Sequence, residues 1–148
     1  MKKIGKYDVR TDLLYDPENH FWIDLKDDKA VIGMSPLIQE TNGYFVAVQI
    51  QEAGTGIKKG DSFGSAEAEK HVGPLKTPLS GEILAVNASV TENPRLINTD
   101  PYGEGWLIEI ALNNKDQEIE SLIKGEEDIA IWFEAELKKF DEKGWIAQ

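Results

Sequence analysis

The chain has 148 residues, 41% of them hydrophobic and 29% charged, the balance of a globular fold of ordinary domain size rather than a disordered one. It has no cysteine and only two histidines, His20 and His71, which excludes disulfides, thiolate chemistry and a multi-histidine metal centre. Its formal net charge of −11 repels phosphate backbones and anionic bilayers, so neither nucleic acid nor membrane is expected as a partner.

The N-terminal stretch is basic but lacks an apolar core behind it, and no segment is apolar enough to span a bilayer. A cytoplasmic location is therefore expected. After the turn Asp16-Pro17-Glu18-Asn19, the run His20-Phe21-Trp22-Ile23 reads as a strand. The stretch from Lys29 to Met34 reads as a second strand, reached through Asp27-Asp28, and the two are predicted to form a hairpin. Ser35-Pro36 opens a short helix with Leu37, Ile38 and Thr41 on one face, and Gly43 stops it.

From Tyr44 to about Ile110 the text is β, punctuated by glycines, as in a small sandwich or barrel. Two loosely similar hairpins are expected within it, one over residues 57–70 turning at Gly60-Asp61, the other over 77–87 turning at Gly81. The sequon Asn87-Ala88-Ser89 carries no expected role in a chain that is not secreted. The last third is helical. Ile119, Leu122 and Ile123 form a brief amphipathic turn closed at Gly125, and Ile129, Trp132, Phe133, Leu137 and Phe140 recur at helical spacing as a stripe expected to pack on the sheet. The chain thus divides into an N-terminal hairpin and helix (residues 1–43), a β core (44–110) and a helical segment (111–148), all expected in one domain.

Chemistry is scarce. Gly60-Asp61-Ser62-Phe63-Gly64 matches the nucleophile-elbow pattern, but no histidine follows at a suitable distance and the surroundings look antiparallel. Gly54-Thr55-Gly56 with Lys58 and Lys59 lacks the ending of a phosphate loop. Glu67, Glu69 and His71 alternate on one side of an ideal strand, an alternation that a tight turn would break. Lys70, beside two carboxylates that favour its charged form, is a poor Schiff-base lysine.

Longer patterns say more. Glu67-Ala68-Glu69-Lys70, followed by Thr77-Pro78-Leu79-Ser80-Gly81-Glu82-Ile83, resembles the H protein of the glycine cleavage system, which carries lipoate on a lysine three residues after a glutamate. His20-Phe21-Trp22 resembles that family's His-x-Trp stretch, and the region from Val31 to Ser35 its Val-Gly-Ile-Thr. Asn87 and the segment from Asn93 to Ile108 match a long family signature, so the similarity spans about residues 7 to 125.

The resemblance implies a mainly β fold with some α, a lipoyl-domain-like barrel-sandwich hybrid with a short internal helix and C-terminal helices. It implies lipoate joined by an amide to Lys70 at a hairpin tip, Glu67 read by the lipoylating enzyme, and Glu69 and His71 flanking the arm. The protein would be a carrier without catalytic residues of its own. Its expected partners are a lipoate ligase or lipoyl transferase and the glycine cleavage P, T and L proteins. Glu69, His71 and the stretch Val72-Gly73-Pro74 depart from the usual H-protein text and look more like the lipoate-binding proteins of sulfur oxidation, whose partner is a heterodisulfide-reductase-like complex. That is the alternative; an unmodified binding module of the same fold is a second. A biotin carrier is disfavoured, since its lysine sits between methionines.

Overall fold

The structure, a computed structural model, describes residues 1–145 apart from the side chains of Gln39 and Glu40. Among the described residues, three antiparallel sheets are formed. The largest has six strands in the order β3 (Leu14–Tyr15), β4 (Phe21–Lys26), β5 (Lys29–Met34), β11 (Ile108–Leu112), β10 (Gly81–Val86) and β7 (Gly56–Ile57). The second has the order β6 (Phe45–Ile50), β8 (Ser62–Ala68) and β9 (His71–Lys76). A small hairpin, β1 (Lys2–Ile4) with β2 (Tyr7–Val9), turns at Gly5 and was not foreseen from the sequence. This is the expected mainly β hybrid of barrel and sandwich, and the two larger sheets share one core. Phe21, Ile32 and Ile110 from one meet Phe45, Phe63 and Leu75 from the other.

The predicted first hairpin forms, with Phe21 opposite Met34 and Lys26 opposite Lys29 around Asp27, whose φ is +57°. Its apolar run is continuous because β4 is buried on both faces. Phe21 and Ile23 point into the shared core, while Trp22 points into a second cluster with Ile4, Val9, Tyr15, Leu37, Ile129 and Phe133. Trp22 lies across from Gly33, where a Cβ would stand 2.4 Å from the indole, so the glycine makes room for the ring. The helix after Ser35-Pro36 is α1 (Ile38–Asn42), and the Ser35 hydroxyl oxygen accepts from the Leu37 N–H.

Neither predicted glycine hairpin exists as drawn. The turn at Gly60-Asp61 is real, with Gly60 at φ +92°, but it carries the chain from β7 in one sheet to β8 in the other. Gly81 does not turn either. It lies inside β10 between Leu112 and Ile57, and a Cβ there would stand 1.9 Å from the Ala111 carbonyl oxygen. Glycine serves close backbone approach here rather than chain reversal.

Two short helices, α2 (Ala88–Glu92) and α3 (Leu96–Thr99), interrupt the stretch expected to be wholly β. The sequon explains the first. Asn87 is its N-cap, accepting from the Ser89 N–H, while its Nδ2 donates to the carbonyls of Glu104 and Trp106. The brief amphipathic turn is α4 (Lys115–Glu118) continued by a 3-10 turn (Ile119–Ser121). The long helix is α5 (Glu126–Glu142), with acidic residues in its first turn, and Gly144 follows it at φ +73°. Its stripe of Ile129, Phe133 and Phe140 packs mainly on the N-terminal hairpin, Tyr15 and Trp22, a layer outside the shared core.

Candidate functional site

Strands β8 and β9 pair down to Ala68 opposite His71, which leaves Glu69 and Lys70 as a two-residue loop. Among the described residues, three hydrogen bonds tie this loop to Asn42 at the end of α1 and to Tyr44 just before β6. The Glu69 N–H donates to the Tyr44 carbonyl (3.1 Å), and the Lys70 N–H donates to the Asn42 carbonyl (2.9 Å). The Glu69 carboxylate in turn accepts from the Tyr44 N–H at 2.8 Å. Gly43, at φ +77°, sits under that carboxylate, and a Cβ there would stand 3.0 Å from Oε1.

The clasping segment is itself gripped from behind. Asn98 of α3 accepts from the Phe45 N–H (2.9 Å) and donates to the Gly43 carbonyl (3.0 Å). The Arg95 guanidinium lies 4.4 Å from the centroid of the Tyr44 ring. A hairpin tip that would otherwise fray is held by backbone and side-chain bonds on both sides. Lys70 itself is exposed and makes no side-chain hydrogen bond or ion pair among the described residues.

The four residues singled out in the sequence are thus close together but not on one side. Glu67 pairs with Ala47 and Val72 on the outer face of the three-stranded sheet. His71 pairs with Ala68, one step on, and borders a cavity on the inner side. Glu69 shares the two-residue tip with Lys70, and its carboxylate is engaged by the Tyr44 N–H. Sequence reasoning missed this clasp. Gly43 and Asn98 were its signal, the first taken only as a helix stop and the second only as part of a signature.

The cavity beside β9 has a volume of about 230 Å³ and is lined by His71, Gly73 and Leu75 together with Asn19, Phe21 and Phe45. His20 also lines it, at φ +59° and buried. Burial holds this imidazole below its ordinary pKa and outweighs the opposing pull of Glu136. The ring is therefore neutral, and Nε2–H donates to the Glu136 carboxylate at 2.8 Å, while Nδ1 has no partner among the described residues. Tyr15 and Tyr102 share a hydroxyl–hydroxyl bond of 2.7 Å, and burial raises the pKa of both, so they form a neutral structural pair. Ser62 of the elbow-like pattern, exposed at the start of β8, donates to the Gly64 carbonyl. No group of three metal-ligating side chains occurs among the described residues, and no described helix is long and apolar enough to cross a membrane.

A family model described as glycine cleavage H-protein matches residues 13–134. The glycine cleavage system H protein of a Synechococcus strain is 46% identical over 99 residues, covering 67% of this chain and 77% of that protein. That of Carboxydothermus hydrogenoformans is 37% identical over 119 residues, covering 80% of this chain and 90% of the relative. The crystal structure of a glycine cleavage system H protein from Mycobacterium marinum superposes with a TM-score of 0.67 at 34% identity, covering 71% of this chain and 87% of that one. Sequence, fold and hairpin agree, and the chain belongs to the glycine cleavage H-protein family of lipoate carriers.

Proposed function

We propose that Lys70 is the lipoyl attachment site and that the protein shuttles the arm between the P, T and L proteins of glycine cleavage after modification by a lipoate ligase or lipoyl transferase. The observation that carries this reading is the clasped two-residue tip, which offers one unpaired amine to solvent on a backbone tied at both residues. Attachment forms the bond from Nζ to the carboxyl carbon of an activated lipoate, whose leaving group departs as Nζ loses a proton. When attached, lipoate supplies a dithiolane that opens and closes as it accepts and releases cargo.

The chain's own residues do positional work. The clasp fixes where the arm begins, so the reach of its far end is set by the arm and not by loop motion. The cavity beside β9 gives an arm folded along that strand an apolar wall at Phe21, Phe45 and Leu75 and polar groups at Asn19 and His71. The protein acts as carrier and contributes no acid, base or nucleophile to the chemistry of its partners.

The sulfur-oxidation alternative rests on the departures around Val72-Gly73-Pro74. A Cβ on Gly73 would stand 2.8 Å from Nε2 of the exposed His71 ring, so the two positions are neighbours on one face. The discriminating experiment is exchange of labelled bicarbonate into glycine with glycine decarboxylase and the lipoylated protein. Exchange matching an authentic H protein supports the glycine role, and exchange at background level overturns it in favour of the alternative.

A further inference from the structure

We infer that the cavity on the outer face of the six-stranded sheet binds an alkylguanidinium group, the side chain of an arginine on a docking protein. The cavity has a volume of about 420 Å³, larger than the one beside β9. Trp22 and Asp24 point to this side of β4 because Phe21 and Ile23 fill the shared core. The site therefore faces away from the sheet that carries Lys70 and is independent of the attachment there.

The floor of the cavity is one row across four strands. Asp24, Val31, Glu109 and Ala85 stand side by side in register, and a bulge at Leu84 sets the small Ala85 opposite Glu109. The wall is aromatic. The Trp22 indole N–H donates to the Pro101 carbonyl at 2.9 Å, and the Tyr102 hydroxyl is bonded to that of Tyr15. Both rings are thus fixed, with centroids 6.0 Å apart. Trp106, half-buried, completes the wall, and its indole N–H makes no hydrogen bond among the described residues.

Charge selects the ligand. Arg10 at the rim is neutralised by Asp12 through two bonds of 3.1 and 2.6 Å, and Asp24 has the Lys26 ammonium at 3.6 Å. Glu109, the fourth charged side chain of the lining, has no hydrogen bond or ion pair among the described residues. Its cross-strand neighbours Val31 and Ala85 can supply none. A half-buried carboxylate left over among aromatic rings is complementary to a cation. The volume is that of an organic ligand, and only two carboxylates line the cavity, so a bare metal ion does not fit. A carboxylate calls for N–H donors, which a quaternary ammonium lacks. A planar guanidinium offers two parallel N–H bonds to the carboxylate and stacks on an indole, which a lysine ammonium cannot do. The paired charges then form a polar rim around an aromatic centre, the anatomy of an interface hot spot, where arginine is a favoured occupant. A net charge of −11 draws a basic partner toward the chain.

The test is an NMR titration of the isotope-labelled full chain, at constant ionic strength, with the capped peptide Ala-Arg-Ala. The Trp22 and Trp106 indole signals and the Glu109 amide should shift together and saturate, with Kd on the order of 1 mM. The Trp132 and Trp145 indoles should stay in place. Glu109→Gln should weaken binding at least tenfold. Ala85→Leu, which fills the cavity and leaves the carboxylate, should do the same and serves if Glu109→Gln misfolds. Glu82→Gln, on β10 outside the cavity, should change Kd by less than twofold. Ala-Lys-Ala should bind at least fivefold more weakly than Ala-Arg-Ala, and ethylguanidinium no more tightly. Absence of a saturable shift up to about 50 mM, or a Kd within twofold of wild type in folded Glu109→Gln or Ala85→Leu, would overturn the site. Equal affinity for the lysine peptide would overturn the guanidinium assignment. Ethylguanidinium binding at least fivefold more tightly than the arginine peptide would overturn the protein partner in favour of a free small cation.

Discussion

Replacing Glu136 by alanine should destabilise the protein by about 2 kcal/mol, the net value of a buried hydrogen bond with one charged partner. The structure supports that figure, because the side chains of His20 and Glu136 are only 6% and 14% exposed and water cannot readily replace the lost acceptor. The same ring already has Nδ1 unpaired among the described residues, so removing Glu136 leaves both nitrogens without a partner. The pair of Glu136 with Lys139, at 3.7 Å and with Lys139 more than half exposed, adds little. Alanine is the best helix former and α5 is a helix, so propensity opposes the loss by a few tenths of a kcal/mol. Thermal and urea unfolding should show Tm lower by about 4–8 °C, given about 2–4 °C per kcal/mol for a chain of this size. Glu136→Gln keeps an acceptor and should lose about half as much. A Glu136→Ala protein within about 0.5 kcal/mol of wild type, the range of an ordinary surface change, would refute the buried-pair account.

His20 also sets a pH dependence. Its folded pKa lies below the unfolded value of about 6.5, so the unfolded chain binds the extra proton and stability falls as pH drops below about 6.5. Denaturant titrations at pH 7.5 and 5.5 should show this, and His20→Asn, which tolerates the positive φ, should reduce the difference. Gly81→Ala should cost more than about 2 kcal/mol or prevent folding, because the added methyl meets the backbone of β11 rather than a movable side chain, and urea midpoints measure it. Glu69→Ala should leave global stability within about 1 kcal/mol but raise hydrogen exchange at the Tyr44 amide about fivefold, the factor that corresponds to one exposed charge-assisted bond. Lys70→Ala should shift stability by less than about 0.5 kcal/mol, since an exposed tip side chain holds nothing in place.

The legible parts of the fold were those where burial imposes a period. The stripe from Ile129 to Phe140 and the run from Phe21 to Ile23 announce a helix and a strand because their side chains must face apolar neighbours. Turn chemistry is less informative. Gly60-Asp61 looks the same whether the chain doubles back within a sheet or crosses to another, and Gly81 inside a strand looks the same as glycine in a turn. The tip position of Lys70 was legible through the pattern it shares with a family, yet its clasp was not. That clasp joins Tyr44 to Glu69 across 25 residues, Asn42 to Lys70, and Gly43 and Phe45 to Asn98 across more than 50, and no local pattern marks such contacts. The N-terminal hairpin escaped notice because three-residue strands carry too few alternations to register.

The central claim is that Lys70 carries the lipoyl group, and peptide mass spectrometry tests it most directly. The full chain, treated with a lipoate ligase, lipoate and ATP and then digested, should yield one adduct of lipoyl mass, on the peptide containing Lys70, and none in Lys70→Ala. An adduct on Lys58, Lys59 or Lys76, one that survives Lys70→Ala, or no adduct at all would contradict it.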